Sequence, residues 1–341
     1  MNGLSLVTGA NGHLGNNVVR ALLQRGMRVR AGVRRLNEDR PFRGLACERV
    51  LAPLDDADAL RRALQGVDVL FQVAAVFRHW APDPEREIVR SNVEGTRRTL
   101  HAAADAGVKR VVYVGSVAAV GHDGTALDET HWNDEQHNAY YRSKIESERV
   151  AWEVAAERRL PLVVVLPSAI VGPHAARLTD TMAFLDALQR RALPFDPDFH
   201  FNFVDVRDVA NAMIEAAVRG RPGERYILAN RRSSSMADLV AALNAVDPGH
   251  RVPRRAPRAL LLSVAWMQER WAQLTKRAPS LLVSQVRLFH GVRQLYDITK
   301  AQTELGFDPR PPEEALQEAF RTLKQREVPA LAPASASIAG R

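Results

Sequence analysis

Tyr140 and Lys144 stand one helical turn apart and have the side-chain types needed for proton transfer. A phenol ionises near pH ~10, but one cation at about 4 Å can lower its pKa by roughly three units. Tyr141 and Tyr113 have no lysine four residues on. We therefore predict that Tyr140 exchanges a proton with a substrate and that Lys144 helps to keep the phenol pKa low.

Ser116 is the second candidate for chemistry, because it ends an apolar run that predicts a strand over residues 110–116. In open α/β sheets, ligands bind beyond the carboxyl ends of the strands. The Ser116 hydroxyl could therefore hold a substrate carbonyl oxygen while Tyr140 delivers or removes the proton. A Tyr-x-x-x-Lys pair alone often arises by chance on a helix surface, but the serine and the flanking strands favour a catalytic interpretation.

Apolar runs alternate with helical patterns through the first half of the chain, and these elements must position the candidate residues. Predicted strands cover residues 27–33, 67–74, 110–116 and 162–167, and predicted helices cover residues 56–65, 85–106 and 139–159. Nearly continuous Val and Leu strands separated by helices indicate a parallel sheet covered on both faces. We predict the α/β class, with a doubly wound parallel sheet and a smaller mixed α/β substrate-binding lobe.

The sequence LSLVTGANGHLG at residues 4–15 joins a first strand to a helix through a glycine-rich turn. Gly9, Gly12 and Gly15 permit a tight turn, close approach of the backbone to a pyrophosphate and close helix–strand packing. Three glycines in a loop usually mean only a turn, but the preceding apolar strand is the context of a Rossmann dinucleotide site. We predict cofactor contacts from the three glycines and from the intervening Asn11, His13 and Leu14.

The end of the second strand predicts which dinucleotide binds. NAD-binding versions of this fold carry an acid there, about twenty residues beyond the glycines, that binds the adenosine ribose. Here the strand ends in AGVRR, and Arg34 and Arg35 take the place of an acid. A guanidinium can pair with a 2′-phosphate through two hydrogen bonds, although both arginines could be ordinary solvent-facing charges. We predict NADP(H) in preference to NAD(H).

The regular alternation is lost in the second half of the chain, where Pro- and Phe-rich sequence, short helices and a brief strand at residues 225–228 follow. We interpret residues 1–172 as the cofactor-binding domain, with residues 199–219 returning to it. Residues 173–325 then form mainly the substrate-binding lobe, which includes the brief strand. Residues 326–341 are rich in Pro, Ala and Ser, which predicts a disordered tail.

The composition of the 341-residue chain, 46% hydrophobic and 25% charged, is that of an ordinary globular protein. The formal charge is +8 and the pI is about 10.1. The basic residues are nevertheless dispersed among acids and lack interleaved aromatics. We therefore expect no nucleic-acid partner, and no side-chain cluster indicates a metal site.

The single cysteine, Cys47, excludes an internal disulfide and fits a reducing compartment. The first strand begins at once, which leaves no room for a signal peptide. The apolar run at residues 259–267 is far shorter than the about 20 residues that a spanning helix needs. It could belong to the core, line a pocket or touch a membrane surface. We expect a cytoplasmic protein without a transmembrane segment.

Several motifs together resemble the extended short-chain dehydrogenase/reductases of the NAD-dependent epimerase/dehydratase superfamily. They extend from residue 4 to about residue 324 and comprise TGANGHLG, DVLFQVAA, SNVEGT, VKRVVYVGSVAAVG, YYRSK, LPSAIVGP, FVDVRDVA, GERYILAN and DITKAQTELGFDPR. Within that class the chain is similar to the dihydroflavonol-4-reductase-like branch. FRHWAPDP and QERWAQLTKR resemble bacterial members labelled hopanoid-associated sugar epimerases.

The resemblance implies Ser116, Tyr140 and Lys144 as the catalytic triad of an NADP-dependent oxidoreductase. It also implies a homodimer built on the helices predicted at residues 85–106 and 139–159. The cofactor contacts that it implies beyond the glycine turn are Leu54, Ala74, Ala75, Asn92, Tyr140, Lys144, Pro167, Ala169, Ile170 and, on the 2′-phosphate of NADP, Arg34.

Three positions depart from the family pattern. Gly115 replaces the first of two serines, so one hydroxyl is lost while the catalytic one is kept. Pro53 replaces an acid that often contacts adenine, which leaves the backbone of Leu54, or alternatively Asp55 or Asp56, for that contact. Asp205 and Arg207 stand where the family usually has His and Asp, and the sequence offers no functional account of this exchange.

The substrate prediction depends on two positions. Sugar-nucleotide epimerases of this class resemble one another in an Asn and an Arg that neutralise a substrate diphosphate, and the corresponding residues here are Ala169 and Phe201. Neither can donate to a diphosphate, whose unpaired burial is unfavourable. Phe201, with Phe77 and Trp80, instead suggests an apolar substrate surface, although these aromatics could equally form core.

We therefore predict NADPH-dependent reduction of a ketone or aldehyde on an apolar small molecule. The alternatives are a sugar or sugar-nucleotide epimerase/dehydratase and a 3β-hydroxysteroid-dehydrogenase-like oxidoreductase. A cofactor-binding sensor without turnover is disfavoured, because such relatives typically lose the Tyr-x-x-x-Lys pair that this chain retains.

Overall fold

The computed structural model describes residues 3–325, so the tail predicted at residues 326–341 lies outside the described residues. The strands are β1 (Leu4–Thr8), β2 (Arg28–Val33), β3 (Glu48–Leu51), β4 (Val69–Gln72), β5 (Arg110–Val114), β6 (Ala126–Leu127), β7 (Leu162–Pro167), β8 (Ala169–Val171), β9 (Phe203–Asp205), β10 (Arg225–Leu228) and β11 (Leu295–Tyr296). The helices are α1 (His13–Gln24), α2 (Ala57–Leu64), α3 (Ser91–Asp105), α4 (Ala139–Arg158), α5 (Asp180–Gln189), α6 (Val206–Val218), α7 (Met236–Asn244), α8 (Arg258–Thr275), α9 (Val283–Phe289), α10 (Thr299–Leu305) and α11 (Pro312–Gln325).

A seven-stranded parallel sheet, in the order β10-β7-β5-β4-β1-β2-β3, forms the centre of the molecule. The register places Leu6 opposite Leu70 and Phe71 opposite Val112, so apolar residues of neighbouring strands share each face. Helices flank the sheet: α1 packs against α6, and α3 packs against α2 and α4. The predicted doubly wound α/β fold is confirmed.

The strands that bear the site are apolar and buried, as expected for a sheet covered on both faces. Every residue of β7, with sequence LVVVLP, is buried. The strand predicted at residues 110–116 ends at Val114, so Ser116 follows the strand end instead of forming part of it. The helix predicted at residues 85–106 begins as a π-helical segment, Glu85–Arg90, that continues into α3.

Strand β10 corrects one prediction, because the sequence analysis assigned residues 225–228 to the smaller lobe. The strand instead forms an edge of the main sheet and pairs in parallel with β7, with Tyr226 opposite Val165. All four residues of β10 are buried. A short strand so far along the chain gives no local sign of its partner, whereas burial against the sheet decides its place.

Buried apolar residues form three clusters. The largest lies between the main sheet and its helices. A second lies among α5, α7 and α11, and a third joins Tyr140 and Tyr141 to residues of α8 and α9. The two-stranded ladders β8–β9 and β6–β11 lie outside the main sheet. Within residues 3–325, no helix has the length and apolarity required to cross a bilayer.

Candidate active site

The turn between β1 and α1 requires glycine at two of its three motif positions. Gly9 has a φ of +64°, and a Cβ there would lie 2.9 Å from the Ala74 Cα atom. A Cβ on Gly15 would lie 2.3 Å from the carbonyl oxygen of Gly9. Gly12 is exposed and is the N-cap residue of α1, where no side chain caps the helix. The turn therefore leaves bare backbone at the start of α1.

This turn fits the phosphates of a nicotinamide dinucleotide, because N–H groups in the first turn of a helix need an acceptor and no capping side chain supplies one here. Thr8 Oγ1 accepts hydrogen bonds from the Val73 and Ala74 amides, both at 3.1 Å. These bonds hold the segment after β4 against the glycine turn. Ala74 therefore lies beside the turn as predicted, with Ala75 next to it in the chain.

The side chains between the glycines have different surroundings. His13 is buried with its Nε2 atom 3.1 Å from the Gly172 oxygen, and burial lowers the pKa of His13 to about 4. Leu14 belongs to the main core cluster. Both side chains face protein, so only their backbone is free to meet a phosphate. Asn11 donates a 2.6 Å hydrogen bond from Nδ2 to Glu38.

Arg34 is exposed immediately after β2, at the same edge of the sheet as the glycine turn. Glu38, which the sequence analysis did not single out, reaches back to this turn. Its carboxylate accepts hydrogen bonds from Asn11 and, at 3.0 Å, from Arg177. An acid therefore stands close to the turn even though the strand end has none. Its only signal in the sequence is its position shortly after β2.

Leu54 and Asn92 join the segments that follow β3 and β4 to neighbouring helices. Leu54 follows β3 and packs against α3, where a Cβ on Gly95 would lie 2.9 Å from the Leu54 Cβ. Asn92 is buried, and its Oδ1 accepts from the Val76 amide at 2.6 Å. Its Nδ2 donates to the Val76 oxygen at 3.0 Å and to the Ser143 hydroxyl at 3.2 Å. The Asn92 amide thus ties the segment after β4 to α3 and α4.

Pro167 ends β7, and the next strand carries Ala169 and Ile170 opposite Phe203 and Val204 of β9. The carboxyl ends of parallel strands meet at one edge of a sheet. The residues predicted for the cofactor from β1, β2, β3, β4 and β7 all follow or end their strands at this edge. The structure therefore brings the predicted cofactor set to one side of the molecule.

The predicted catalytic residues meet where β5 ends beside the start of α4. Asn138 caps α4, and its Oδ1 accepts from the amides of Tyr140 and Tyr141 at 3.1 and 3.2 Å. The Tyr140 hydroxyl donates to the Ser116 Oγ atom at 3.5 Å. Lys144 is buried one turn further along α4. A capped helix and a strand end thus bring Tyr140 and Ser116 together, with Lys144 buried one turn away on the same helix.

Burial controls the ionisation of the catalytic pair. It raises the pKa of the Tyr140 phenol to about 12, and the hydrogen bond to Ser116 opposes this only in part. It lowers the pKa of the Lys144 ammonium to about 8, which the Glu148 carboxylate opposes. The lowering of the phenol pKa expected from Lys144 together with an oxidised nicotinamide ring is opposed by this desolvation. At neutral pH Tyr140 is therefore protonated and Lys144 is charged.

Glu148 forms a buried ion pair one turn beyond Lys144. Its Oε1 atom accepts from Arg225 Nε at 2.7 Å, and the guanidinium stacks over the Trp132 ring at 4.0 Å. A Cβ on Gly115 would lie 3.1 Å from Glu148 Oε2. The Gly115 position, where the family usually has serine, therefore lies beside this carboxylate. The sequence analysis did not identify the pair, because Glu148 and Arg225 lie far apart in the chain.

Aromatic side chains from the loop after β4 pack against Tyr140. The Phe77 ring lies 5.0 Å from the Tyr140 ring in an edge-to-face arrangement. The ring of His79, a residue that the sequence analysis did not name, lies 4.8 Å from the same ring. Burial lowers the pKa of His79, and the Asp180 carboxylate opposes this. Within the described residues, His79 Nδ1 has no hydrogen-bond partner.

Phe201 belongs to an aromatic group farther from the phenol. Its ring lies 5.2 Å from that of Phe289 and 5.7 Å from that of Phe199. The group packs against the cluster that contains Tyr140. Trp80 is half-buried in the loop after β4, and no ring contact joins it to Tyr140 within residues 3–325. Phe77 is thus the predicted substrate residue that touches the catalytic tyrosine.

Asp205 and Arg207, for which the sequence offers no account, have a structural one. Asp205 is fully buried and caps α6 by accepting from the Arg207 amide at 2.8 Å. The Arg207 guanidinium donates two further hydrogen bonds to the same carboxylate, at 2.9 and 2.8 Å. The Arg310 guanidinium lies 3.6 Å from the Asp205 carboxylate and also pairs with Asp208. The exchange thus supplies a cap and an ion pair at the start of α6.

A parallel sheet with a bare glycine turn at its carboxyl edge and a Ser/Tyr/Lys set at the same edge is typical of a nicotinamide-dependent oxidoreductase of the extended short-chain dehydrogenase/reductase class. The model of the NAD dependent epimerase/dehydratase family matches residues 5–229, and the chain belongs to this family.

Named relatives place the chain in the branch that its motifs resemble. It is 35% identical over 321 residues to a provisionally named dihydroflavonol 4-reductase of Synechocystis sp., covering 92% of each chain. It is 34% identical over 329 residues to sterol demethylase protein B of Methylococcus capsulatus, covering 94% of this chain and 98% of the relative. The crystal structure of yeast methylglyoxal/isovaleraldehyde reductase Gre2 with NADPH superposes with a TM-score of 0.73 at 23% identity, covering 94% and 98% of the two chains, which shows a shared fold.

Proposed function

We propose that the protein reduces a ketone or aldehyde on an apolar small molecule with NADPH. The observation that carries the proposal is the assembled triad, in which the Tyr140 hydroxyl donates to Ser116 with Lys144 one turn away. The dihydroflavonol 4-reductase name of one relative supports a carbonyl substrate. Reductive chemistry needs a proton donor, and a phenol whose pKa is raised to about 12 keeps its proton at neutral pH.

In this proposal each residue of the triad has one task. Ser116 donates a hydrogen bond to the substrate carbonyl oxygen and orients it. A bound reduced nicotinamide supplies the hydride. Tyr140 gives its proton to the same oxygen as negative charge develops there, and the Lys144 ammonium stabilises the phenolate that is left. Phe77 and His79 cover the other side of the Tyr140 ring and bound the space for the substrate.

The choice of NADPH rests on Arg34. It is exposed beside the glycine turn, where a 2′-phosphate could accept two hydrogen bonds from its guanidinium. The proposal keeps residues 1–172 as the cofactor-binding part and residues 173–325 as mainly the substrate-binding lobe. It also keeps a homodimer and the cytoplasm as expectations.

The first experiment separates a reductase from an epimerase by stoichiometry. Purified protein is mixed with NADPH and a panel of aldehydes, β-keto thioesters, flavonoids and steroids, and absorbance and product are followed together. A reductase consumes one cofactor molecule for each product formed, whereas an epimerase returns its cofactor in every cycle. Product that accumulates without NADPH loss would contradict the proposal.

Replacing Tyr140 by Phe tests the proton donor. We expect Tyr140→Phe to lower the single-turnover rate of NADPH oxidation by about a thousandfold. Tyr141→Phe is the matched control, because Tyr141 is the adjacent buried tyrosine of the same helix turn. It should keep the rate within about threefold of the wild type. Equal rates in the two variants would rule out the mechanism.

Replacing Arg34 by Ala tests the cofactor choice through binding alone. Arg34→Ala should weaken the binding of NADP+ by about tenfold or more and leave the affinity for NAD+ unchanged, because only NADP+ carries the 2′-phosphate. Arg28→Ala removes an exposed arginine from the other end of β2 and serves as control. Tighter binding of NAD+ than of NADP+ to the wild type would show that the choice is wrong.

A further inference from the structure

Helix α8 carries a stripe of large apolar side chains that face away from the protein. Leu260, Met267, Trp271 and Leu274 recur on one side of the helix and are 43%, 56%, 66% and 80% exposed. Trp266, on the neighbouring row, is 55% exposed. A contiguous apolar stripe of this kind marks an interaction surface more often than an accident of folding. We call these five side chains the α8 stripe.

The opposite side of α8 is fixed to the protein. Leu261 and Ala265 are buried in the cluster that contains Tyr140. The side chain of Gln268 accepts a hydrogen bond from the Ser280 amide at 3.0 Å, and that of Glu269 accepts one from the Val283 amide at 2.8 Å. These contacts set the rotation of the helix about its axis. The α8 stripe is therefore held outward by a well-packed inner face.

The charged residues of the chain segment that contains α8 are almost all positive. Residues 251–277 contain seven Arg or Lys residues and one acid, Glu269, which is engaged on the inner side. Arg270 is exposed beside the stripe, with its guanidinium 5.5 Å from the centre of the Trp266 ring. Lys276 is exposed directly after the helix. The surface thus combines apolar insertion groups with basic flanks.

We propose that the α8 stripe binds the surface of an anionic lipid bilayer. An interfacial helix buries one apolar face at the boundary of the headgroups and the acyl chains, while Lys and Arg meet anionic headgroups. Trp side chains are suited to this boundary because they have an apolar ring and a polar N–H. A second copy of the chain fits less well, since pairing two such faces brings positive charges together.

Vesicle flotation with the full-length protein tests the proposal. The vesicles are phosphatidylcholine alone, or phosphatidylcholine with about one-third phosphatidylglycerol. We expect binding to the anionic vesicles and about tenfold less to the neutral ones. The variant Met267→Ser/Trp271→Ser/Leu274→Ser should lower binding by about tenfold or more. Val218→Ser is the control, because Val218 is an equally exposed apolar residue at the end of α6.

The basic flank is tested separately. Arg270→Glu/Lys276→Glu should weaken binding to anionic vesicles by about tenfold and reduce its salt dependence between about 0.05 and about 0.5 M NaCl. Circular dichroism and NADPH fluorescence titration show whether each variant keeps its fold. A variant that is folded and still binds anionic vesicles like the wild type overturns the role of its residues.

Two results would overturn the membrane proposal as a whole. One is absence of wild-type binding to either vesicle. The other is a dimer, measured by sedimentation equilibrium, that the stripe variant abolishes while vesicle binding is unchanged, because the stripe would then be covered by a second copy. Neither readout needs a substrate. Failure of the reductase proposal would therefore leave this one standing, and the reverse also holds.

Discussion

The cofactor side and the substrate side of the site are built from different kinds of contact. On the cofactor side the backbone itself is constrained, through the positive φ of Gly9 and the contact that a Cβ on Gly15 would make. On the substrate side, side chains from one loop, Phe77 and His79, cover the ring of Tyr140. Backbone constraints restrict residue type at fixed spacing, whereas a wall of side chains can change with the ligand.

The largest effect is expected where the cofactor side is tightest. Gly15→Ala would place a Cβ 2.3 Å from the Gly9 oxygen, so the turn must open. We expect a loss of about 2 to 3 kcal/mol in the free energy of unfolding and a loss of about a hundredfold in NADPH affinity. Urea unfolding and fluorescence titration measure the two quantities.

Gly12→Ala separates the two effects, because Gly12 is exposed and a Cβ there would lie 3.1 Å from the same Gly9 oxygen. It should weaken the binding of NADPH, because the pyrophosphate can no longer approach the backbone closely. The free energy of unfolding should change by less than about 1 kcal/mol. If Gly12→Ala binds NADPH like the wild type, the phosphates do not lie on this turn.

The dependence of activity on pH tests whether the reaction needs the charge of the Lys144 ammonium. The ammonium is charged below its pKa of about 8 and neutral above it, whereas Tyr140, with a pKa of about 12, keeps its proton throughout. We expect kcat/KM for reduction to be level below pH 8 and to fall by about tenfold for each pH unit above it, because the cation that stabilises the phenolate is lost. Steady-state kinetics between about pH 6 and about pH 10 measure this limb.

Glu148→Gln should move the alkaline limb to lower pH, because the carboxylate is what raises the pKa of Lys144. The change also leaves Arg225 unpaired and buried, at a cost of about 3 kcal/mol, so unfolding is measured in parallel. Glu146→Gln is the matched control on the same helix, where the carboxylate pairs with Arg142 on the outside. A limb that is identical in both variants would assign the titration to another group.

The sequence predicts the parts of the molecule whose constraints are local. Most strands of the parallel sheet and α4 follow from apolar runs and helical periodicity, and where bounds were predicted they differ from the observed ones by at most two residues. The bounds of β3 were not predicted. The glycine turn follows from backbone geometry at Gly9 and Gly15. Tyr140 and Lys144 were found because both lie on one helix, where spacing fixes which side chains share a face.

Contacts between segments that are distant in the sequence were not predicted, because no local pattern marks them. Glu148 meets Arg225 across 77 residues of sequence, and nothing local marks either as a partner. Strand β10 was placed in the wrong lobe because a run of four residues does not specify which sheet it joins. The sequence indicates a cation one turn from Tyr140 but not the burial that raises the pKa of the phenol, since desolvation depends on how deeply the folded chain buries the group.

The smallest effect is expected on the substrate side, at His79. Its Nδ1 atom has no hydrogen-bond partner among the described residues, and burial lowers its pKa, so it is a neutral polar group beside the Tyr140 ring. We expect His79→Leu to raise KM by about fivefold for carbonyl substrates that carry a hydroxyl group and to leave purely apolar substrates unchanged. NADPH affinity should not change.

Phe77→Leu is the partner experiment, because Phe77 covers the same ring without a polar atom. It should weaken the binding of apolar and hydroxylated substrates alike, by the about 1 kcal/mol that an aromatic contact contributes. The comparison between the two sides fails if either variant changes NADPH affinity as much as it changes KM. In that case the loop after β4 would affect the binding of both cofactor and substrate. The contacts of Phe77 and His79 with Tyr140 would then not be independent of the glycine turn.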